Sequence, residues 1–316
     1  MEDDLSYSKG IQPRNPIEGL FMLIRPVESI FVGLALIIAY FMAIPNLDGI
    51  NVITMIFIFI SGYFISAQGM VHNDIVDIDI DRVNAPHRTL PSGVIPVSFA
   101  WWYVGFLATI SLLFAVLIDL HTQRFPFSTV YCLIFILLLD SYNFYFKKKG
   151  IIGNIIIGFA VMNLFIYTDF LVNFDNYPKL SFLPLSAGLY AFFVNIGREI
   201  IKAMSDVEGD AKKQVKSLPV TLGFKNAGIL GSALIIIGML SSLPNVLIPA
   251  IRDQFALVPI ILFLIEDLLM MLLLLKLWRS FTPKNAFWVK ERIFYVMMAY
   301  LVPFLVQVII NFTTHN

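Results

Sequence analysis

Residues 51–82 read NVITMIFIFISGYFISAQGMVHNDIVDIDIDR. The first 22 of them, 51–72, contain no Asp, Glu, Lys or Arg, whereas five of the next ten are charged: Asp74, Asp77, Asp79, Asp81 and Arg82. A membrane helix needs roughly 20 mainly apolar residues, so the stretch reads as a span that runs directly into an acidic segment. Asp74, Asp77 and Asp81 are spaced i, i+3, i+7, which places them on one helical face, and Asp79 falls off it. An Asp at the bilayer centre costs about 2.5–3.5 kcal/mol on the insertion scale. Three together belong at the interface or against a wet cavity, where intramembrane acids are functional candidates by default.

The rest of the chain has the same character. Of 316 residues, 58% are apolar and 14% charged, with 22 Lys+Arg balanced by 22 Asp+Glu. Soluble domains carry about 25% charge. The composition excludes disorder, and the zero net charge argues against a nucleic-acid binder. Continuous rather than alternating apolar runs exclude an outer-membrane barrel. The single cysteine, Cys132, stands in an apolar run, which leaves no disulfide framework and no Cys-based metal site. Nine spans can be read, at about 27–45, 51–72, 98–118, 127–146, 151–171, 181–201, 227–248, 255–276 and 293–311. The expectation is an all-α polytopic membrane protein, one transmembrane domain over 1–316, with longer motif loops at about 73–97 and 202–226. Threading the chain through nine spans puts 19 of the 22 Lys and Arg on one side, and only Arg124, Lys179 and Arg252 on the other. Such a bias marks the cytoplasmic side. The N-terminus is then cytoplasmic, the C-terminus external, and both acidic loops face the cytoplasm from a multi-pass protein of the cell membrane.

A second acidic cluster ends the sixth span. Arg198, Lys202, Asp206 and Asp210 form an i, i+4 stripe, two cations below two carboxylates. Asp77-x-x-x-Asp81 followed by Leu90-Pro91 is echoed by Asp206-x-x-x-Asp210 followed by Leu218-Pro219, an offset of 129 residues for the acids. This is the signature of a duplicated four-helix unit with a ninth helix added, around a central cavity. Substrate sites in repeat-built membrane folds lie where the halves meet. Five carboxylates suit a hard cation, and Mg²⁺ takes a few carboxylates together with substrate phosphate oxygens and water. Arg88, Arg198, Lys202 and one or more of Lys147–Lys149 complete a clamp for a phosphorylated substrate above an apolar tunnel. His72 reads as a boundary residue rather than a ligand, and His87 as a loop residue within reach of phosphate. Glu266 and Asp267 stand inside an apolar run, facing a cavity or marking an irregularity.

At these residues the sequence resembles the UbiA superfamily of intramembrane prenyltransferases. Asn73, Asp74, Asp77 and Asp81 complete its N-D-x-x-D-x-x-x-D motif, and Asn84 to Gly93 is similar to its N-x-P-x-R-P-L-P-S-G run, with Thr89 for a common Pro. Arg25-Pro26 before the first span, and Tyr142-x-x-x-x-Lys147 followed by Gly153-Asn154, are similar to further motifs. Ala203 stands where the family often has a third Asp, and Glu28 where an Asn is common. Arg198 to Lys202 and Asp206 to Asp210 look most like the archaeal digeranylgeranylglyceryl phosphate synthases. The resemblance implies nine helices and two Mg²⁺ bridging a prenyl diphosphate, with Asp74, Asp77, Asp81, Asp206 and Asp210 as ligands. It further implies that Asn73, Arg88, Tyr142, Lys147, Arg198 and Lys202 bind the diphosphate, with Lys202 also catalytic. The reaction implied is transfer of a geranylgeranyl group to the sn-2 hydroxyl of a lipid-phosphate acceptor, geranylgeranylglyceryl phosphate.

Three rivals are weighed against this. The same chemistry on an aromatic or tetrapyrrole acceptor shares parts of the motif pattern. A lipid headgroup transferase would need a D-x-x-D-G-x-x-A-R run, which is absent. A cation or metabolite transporter also uses paired acids, but here the opposite half of the membrane has almost no charge.

Overall fold

Helices account for all regular structure among the described residues, which in this computed structural model are 12–44, 49–147, 149–176, 180–207, 217–251 and 257–314. In chain order they are α1 (Pro16–Leu23), α2 (Pro26–Ala43), α3 (Val52–Val76), α4 (Ile78–Asn84) and α5 (Val97–Thr122). α6 (Phe127–Ser141) passes into a π-helical turn at Tyr142–Phe146. There follow α7 (Ile151–Val172), α8 (Phe182–Ser205), the short α9 (Leu218–Leu222), α10 (Phe224–Ile251), α11 (Leu257–Arg279), α12 (Pro283–Ala299) and α13 (Val302–Thr314). Pro303 explains the break between the last two, since its missing N–H cannot bond the carbonyl of Ala299; α12 and α13 together form one apolar crossing, Pro283–Ile310.

Eight helical stretches among the described residues are long and apolar enough to cross a membrane. They coincide with eight of the nine spans expected. The remaining one, 181–201, is α8. Its 24 residues reach roughly 36 Å at 1.5 Å per residue, longer than a hydrocarbon core of about 30 Å, but its hydropathy falls short. Two features account for this: it ends in Arg198, Glu199 and Lys202, and it is sheathed in protein rather than lipid, with residues such as Ala187, Tyr190, Val194, Ile200 and Ile201 fully buried. A helix that meets other helices on most sides has less need of an apolar surface.

The loops also differ from expectation. The acidic segment after α3 is helical through α4, so the connection to α5 shrinks to 85–96. α8 continues to Ser205, and α9 occupies part of the second stretch read as loop. Asp210, with Lys148, Glu208, Lys212, Lys213 and Lys216, lies outside the described residues.

The chain divides into two compact units, Met1–Leu34 with Val52–Phe144, and Ala35–Asn51 with Tyr145–Asn316. The main division, between Phe144 and Tyr145, falls within the π turn that ends the span expected at 127–146. In the first unit α3 packs on α5 through small residues. The Ser111 hydroxyl donates to the Ser61 carbonyl at 2.9 Å, and the Ser61 hydroxyl to the Ser111 carbonyl at 3.1 Å. Leu23, Val71, Ile75, Leu90, Ile95 and Leu107 form its core at the motif end. Cys132 is buried in a smaller cluster beside Ala115 and Ile136. Asp119, wholly buried, closes the turn into α6 by accepting the N–H groups of Ser128 (2.6 Å) and Thr129 (2.9 Å), two donors that the start of a helix leaves unpaired.

The second unit is built around α8. A Cβ at Gly197 would lie 2.5 Å from the Gly231 carbonyl oxygen, and one at Gly238 2.7 Å from Val194 Cγ2, so α8 and α10 meet backbone to backbone as small-residue membrane helix pairs do. Tyr190 stacks on Tyr300 with ring centroids 3.7 Å apart, and its hydroxyl donates to Glu266 Oε1 at 2.6 Å. Glu266 is thus a buried acceptor within the core.

Candidate active site

In the first unit the acidic motif keeps one face although α3 stops at Val76. The Asp77 N–H bonds the Asn73 carbonyl at 3.0 Å and the Asp81 N–H the Asp77 carbonyl at 2.8 Å, so the i→i−4 ladder carries helical phase across the junction. Asp74 is 8% exposed and Asp81 5%, and each has an arginine. Arg25 Nη2 lies 2.6 Å from Asp74 Oδ1, and Arg88 Nη1 2.8 Å from Asp81 Oδ2. Asn73 Nδ2 donates to Asp77 Oδ2 at 3.3 Å. Asp79 points to solvent and pairs with its neighbour Arg82, as its phase requires. Burial pushes the Asp81 carboxyl above the usual carboxylate range; Arg88 opposes this, and the charges of Asp74 and Asp77 reinforce it. Those three acids therefore share one electrostatic site.

Arg25 occupies the joint between α1 and α2 with φ +43°, a left-handed backbone that a bulky residue adopts only against steric resistance. α1 fixes the joint: Asn15 caps its first turn by accepting the Glu18 N–H at 2.9 Å, and Gly19 lies against Thr89 and Ile95 of the motif loop. On the other side of α3, His72 is buried. Its Nδ1 lies 2.6 Å from Asp140 Oδ1, which also accepts from Gln68 Nε2 at 2.9 Å. This pair ties α3 to α6 just before the π turn that holds Tyr142, a wide turn of a kind frequent at functional sites.

In the second unit Glu199 joins two of the expected cations. Arg198 Nη1 and Lys202 Nζ each lie 3.1 Å from its carboxylate. Lys147 is near enough to act on the same charge. Lys202 and Asp206, four apart on that stripe, are not among the described ion pairs, because α8 ends at Ser205 and Asp206 accepts the Ser205 hydroxyl at 2.9 Å. Lys290 of α12 is within electrostatic reach of Asp206, Lys202 and Arg198.

Among the described residues no three His, Cys, Asp or Glu side chains close on one point as a self-sufficient metal cage. The donor set still fits Mg²⁺, which characteristically uses one or two carboxylates and completes its octahedron with substrate phosphate and water. Asp74 and Asp81 offer hard oxygens on a shared face, and the arginines beside them suit the oxygens of a diphosphate.

A model of the UbiA prenyltransferase family matches residues 31–302. The chain belongs to the UbiA prenyltransferase family. It is 31% identical over 226 residues, 71% of its length and 75% of the relative's, to the digeranylgeranylglyceryl phosphate synthase of Methanocaldococcus jannaschii. A solved structure of digeranylgeranylglyceryl phosphate synthase superposes with a TM-score of 0.67 at 28% identity, covering 92% of this chain and 98% of that one. The fold also matches a UbiA homologue from Archaeoglobus fulgidus bound to GPP and Mg²⁺ (TM-score 0.65, 18% identity, 92% and 99% coverage).

Within this UbiA chain the structure groups Asn73, Asp74, Asp77, Asp81 and Arg88 in one unit, and Lys147, Arg198, Lys202 and Asp206 in the other. It adds Glu199 and Lys290, which the sequence reading left outside the site, and pairs Arg25 with Asp74. Arg25 had a signal, the Arg-Pro pair before the first span. Lys290 stood in the connection before the ninth span and counted there as a topology charge.

Proposed function

We propose that the protein transfers the geranylgeranyl group of geranylgeranyl diphosphate to the sn-2 hydroxyl of geranylgeranylglyceryl phosphate, releasing diphosphate, in archaeal ether-lipid synthesis. The observation that carries this reading is the buried Asp74–Asp81 face with an arginine on each carboxylate, set at the end of a membrane helix. Family membership and the names of the archaeal relatives support the reaction class and the acceptor.

We assign one Mg²⁺ to Asp74, Asp77 and Asp81 and a second to Asp206 and Asp210. Bound there, the metal would offset the negative charge that gathers on diphosphate as the allylic C–O bond breaks. Asn73, Arg88, Tyr142, Lys147 and Lys202 are assigned to the diphosphate oxygens. Arg25 holds Asp74 in place until the substrate enters. The allylic cation needs a site free of water, which the apolar helices around the motifs supply. The acceptor hydroxyl then attacks the cation, and its proton leaves with diphosphate. The whole of 1–316 acts as one prenyltransferase domain, a nine-span unit with the motifs at the cytoplasmic face.

Purified protein in detergent, supplied with geranylgeranyl diphosphate and Mg²⁺, should release diphosphate with geranylgeranylglyceryl phosphate and not with 4-hydroxybenzoate. EDTA should abolish the release. Turnover with the aromatic acid alone would move the enzyme to quinone-type chemistry, and none with either acceptor would overturn the reading.

A further inference from the structure

Among the described residues, the second unit contains cationic groups with donors that no described carboxylate takes up. Glu199 is already shared between Arg198 and Lys202. Arg198 has a further donor, Nε, that is buried with no hydrogen-bond partner, and its guanidinium lies over the Phe294 ring at 5.3 Å. One turn earlier on α12, Lys290 is only 11% exposed, and its nearest described carboxylate is Glu291 at 3.9 Å, too long for a hydrogen bond. Its ammonium lies over the Phe287 ring at 4.7 Å. Lys290 and Phe294 share a helical face, being four apart, and the Lys290 ammonium is within electrostatic reach of Asp206, Lys202 and the Arg198 guanidinium of α8.

Burying a charge without a close partner is costly. Lys290, with no described carboxylate in bonding range, and Arg198, whose carboxylate is shared and leaves one N–H unused, together make a receptor for an anion with several oxygens. The acidic motifs recognise the donor's diphosphate through a cation. Arg198 and Lys290 need no such mediator, because they present positive charge themselves. We propose that Arg198 and Lys290 form a separate anion subsite that takes the phosphomonoester of the acceptor lipid and so selects a phosphorylated acceptor over a neutral alcohol. This rests on the reaction proposed above and names the group that fixes the acceptor.

The test uses the full chain in detergent. Binding of geranylgeranylglyceryl phosphate and of its dephosphorylated alcohol is measured without donor, for wild type, Lys290→Gln and Lys290→Arg. Wild type should prefer the phosphorylated lipid. Lys290→Gln should lose that preference by about tenfold or more, the worth of one charge-assisted hydrogen bond, and Lys290→Arg should keep most of it. In turnover, Lys290→Gln should raise KM for the phosphorylated acceptor and leave KM for geranylgeranyl diphosphate within about twofold of wild type. Equal loss with both lipids, an unchanged preference, or a rise confined to the diphosphate KM would overturn the subsite. The binding arm needs no catalysis: should turnover with this acceptor fail while the phosphate preference and its loss remain, the proposed reaction falls and the subsite stands. Lys290→Met, which keeps the apolar packing of the stem, replaces the Gln variant if that one does not purify.

Discussion

Buried aspartates do two different jobs in this chain, and their partners separate them. Asp119 accepts two backbone N–H groups and the Thr129 hydroxyl, so its carboxylate is saturated by the turn it closes. Asp74 and Asp81 each have one arginine and oxygens to spare. Asp119→Ala should therefore lower stability by about 1–2 kcal/mol, seen as a drop in the detergent unfolding temperature, with turnover per folded molecule unchanged. Asp74→Ala and Asp206→Ala should insert, purify and unfold much as wild type does, yet lose about a hundredfold or more in kcat. Wild-type rates in both would remove the metal assignment. Asp79→Asn should be nearly silent, since Asp79 is exposed and its described ion pair is with Arg82 at the surface. The helical phase of the three site acids was legible in the sequence because i, i+3, i+7 spacing survives a one-residue break in the helix. Arg25–Asp74 was not, since no local pattern reports a contact across 49 residues.

At the level of elements, α8 is the expected span that hydropathy alone leaves out. Its neighbours α7 and α10 approach so closely that side chains are excluded at Gly158, Gly197 and Gly238, and a helix so enclosed tolerates Asn195, Arg198 and Glu199. Apolar runs reveal the lipid-facing helices; a protein-facing one shows itself by its small residues, which the eye passes over. The close approach can be tested. Gly197→Ala would place its Cβ against a backbone oxygen, which cannot give way as a side chain can, and forced overpacking costs about 1–3 kcal/mol. A fall of several degrees in unfolding temperature is the expected result. Gly105→Ala, on α5 with nothing within 4 Å of its new Cβ, should be neutral or stabilising by up to about 1 kcal/mol. Equal effects at the two sites would contradict the tight α8–α10 seam. The same reasoning covers Lys290: a cation in a connection reads as a topology marker until the helix facing it is known.

Over the whole molecule, the charge map and the helices make one joint statement about orientation. The turn from α11 to α12 concentrates Lys276, Arg279, Lys284, Lys290 and Arg292. Trp288 lies between the Lys276 ammonium at 3.8 Å and the Arg292 guanidinium at 3.7 Å, a pairing suited to a membrane interface, where both aromatic and cationic side chains gather. The connection from α7 to α8 is poor in charge, and Asp169 of α7 satisfies it internally by accepting the Ser181 N–H at 2.7 Å. With the nine crossings proposed above, these two connections are expected on opposite sides, the cationic one in the cytoplasm. A Cys132→Ser background removes the only thiol. On it, Lys284→Cys and Asp175→Cys, both at exposed positions, are labelled in intact cells with a membrane-impermeant maleimide. Asp175→Cys should react in intact cells, and Lys284→Cys only after the membrane is opened. Reversal of the two would invert the topology and move the acidic motifs to the outer face. Reaction of both in intact cells would place the two connections on one side, and α8 would then not cross the membrane.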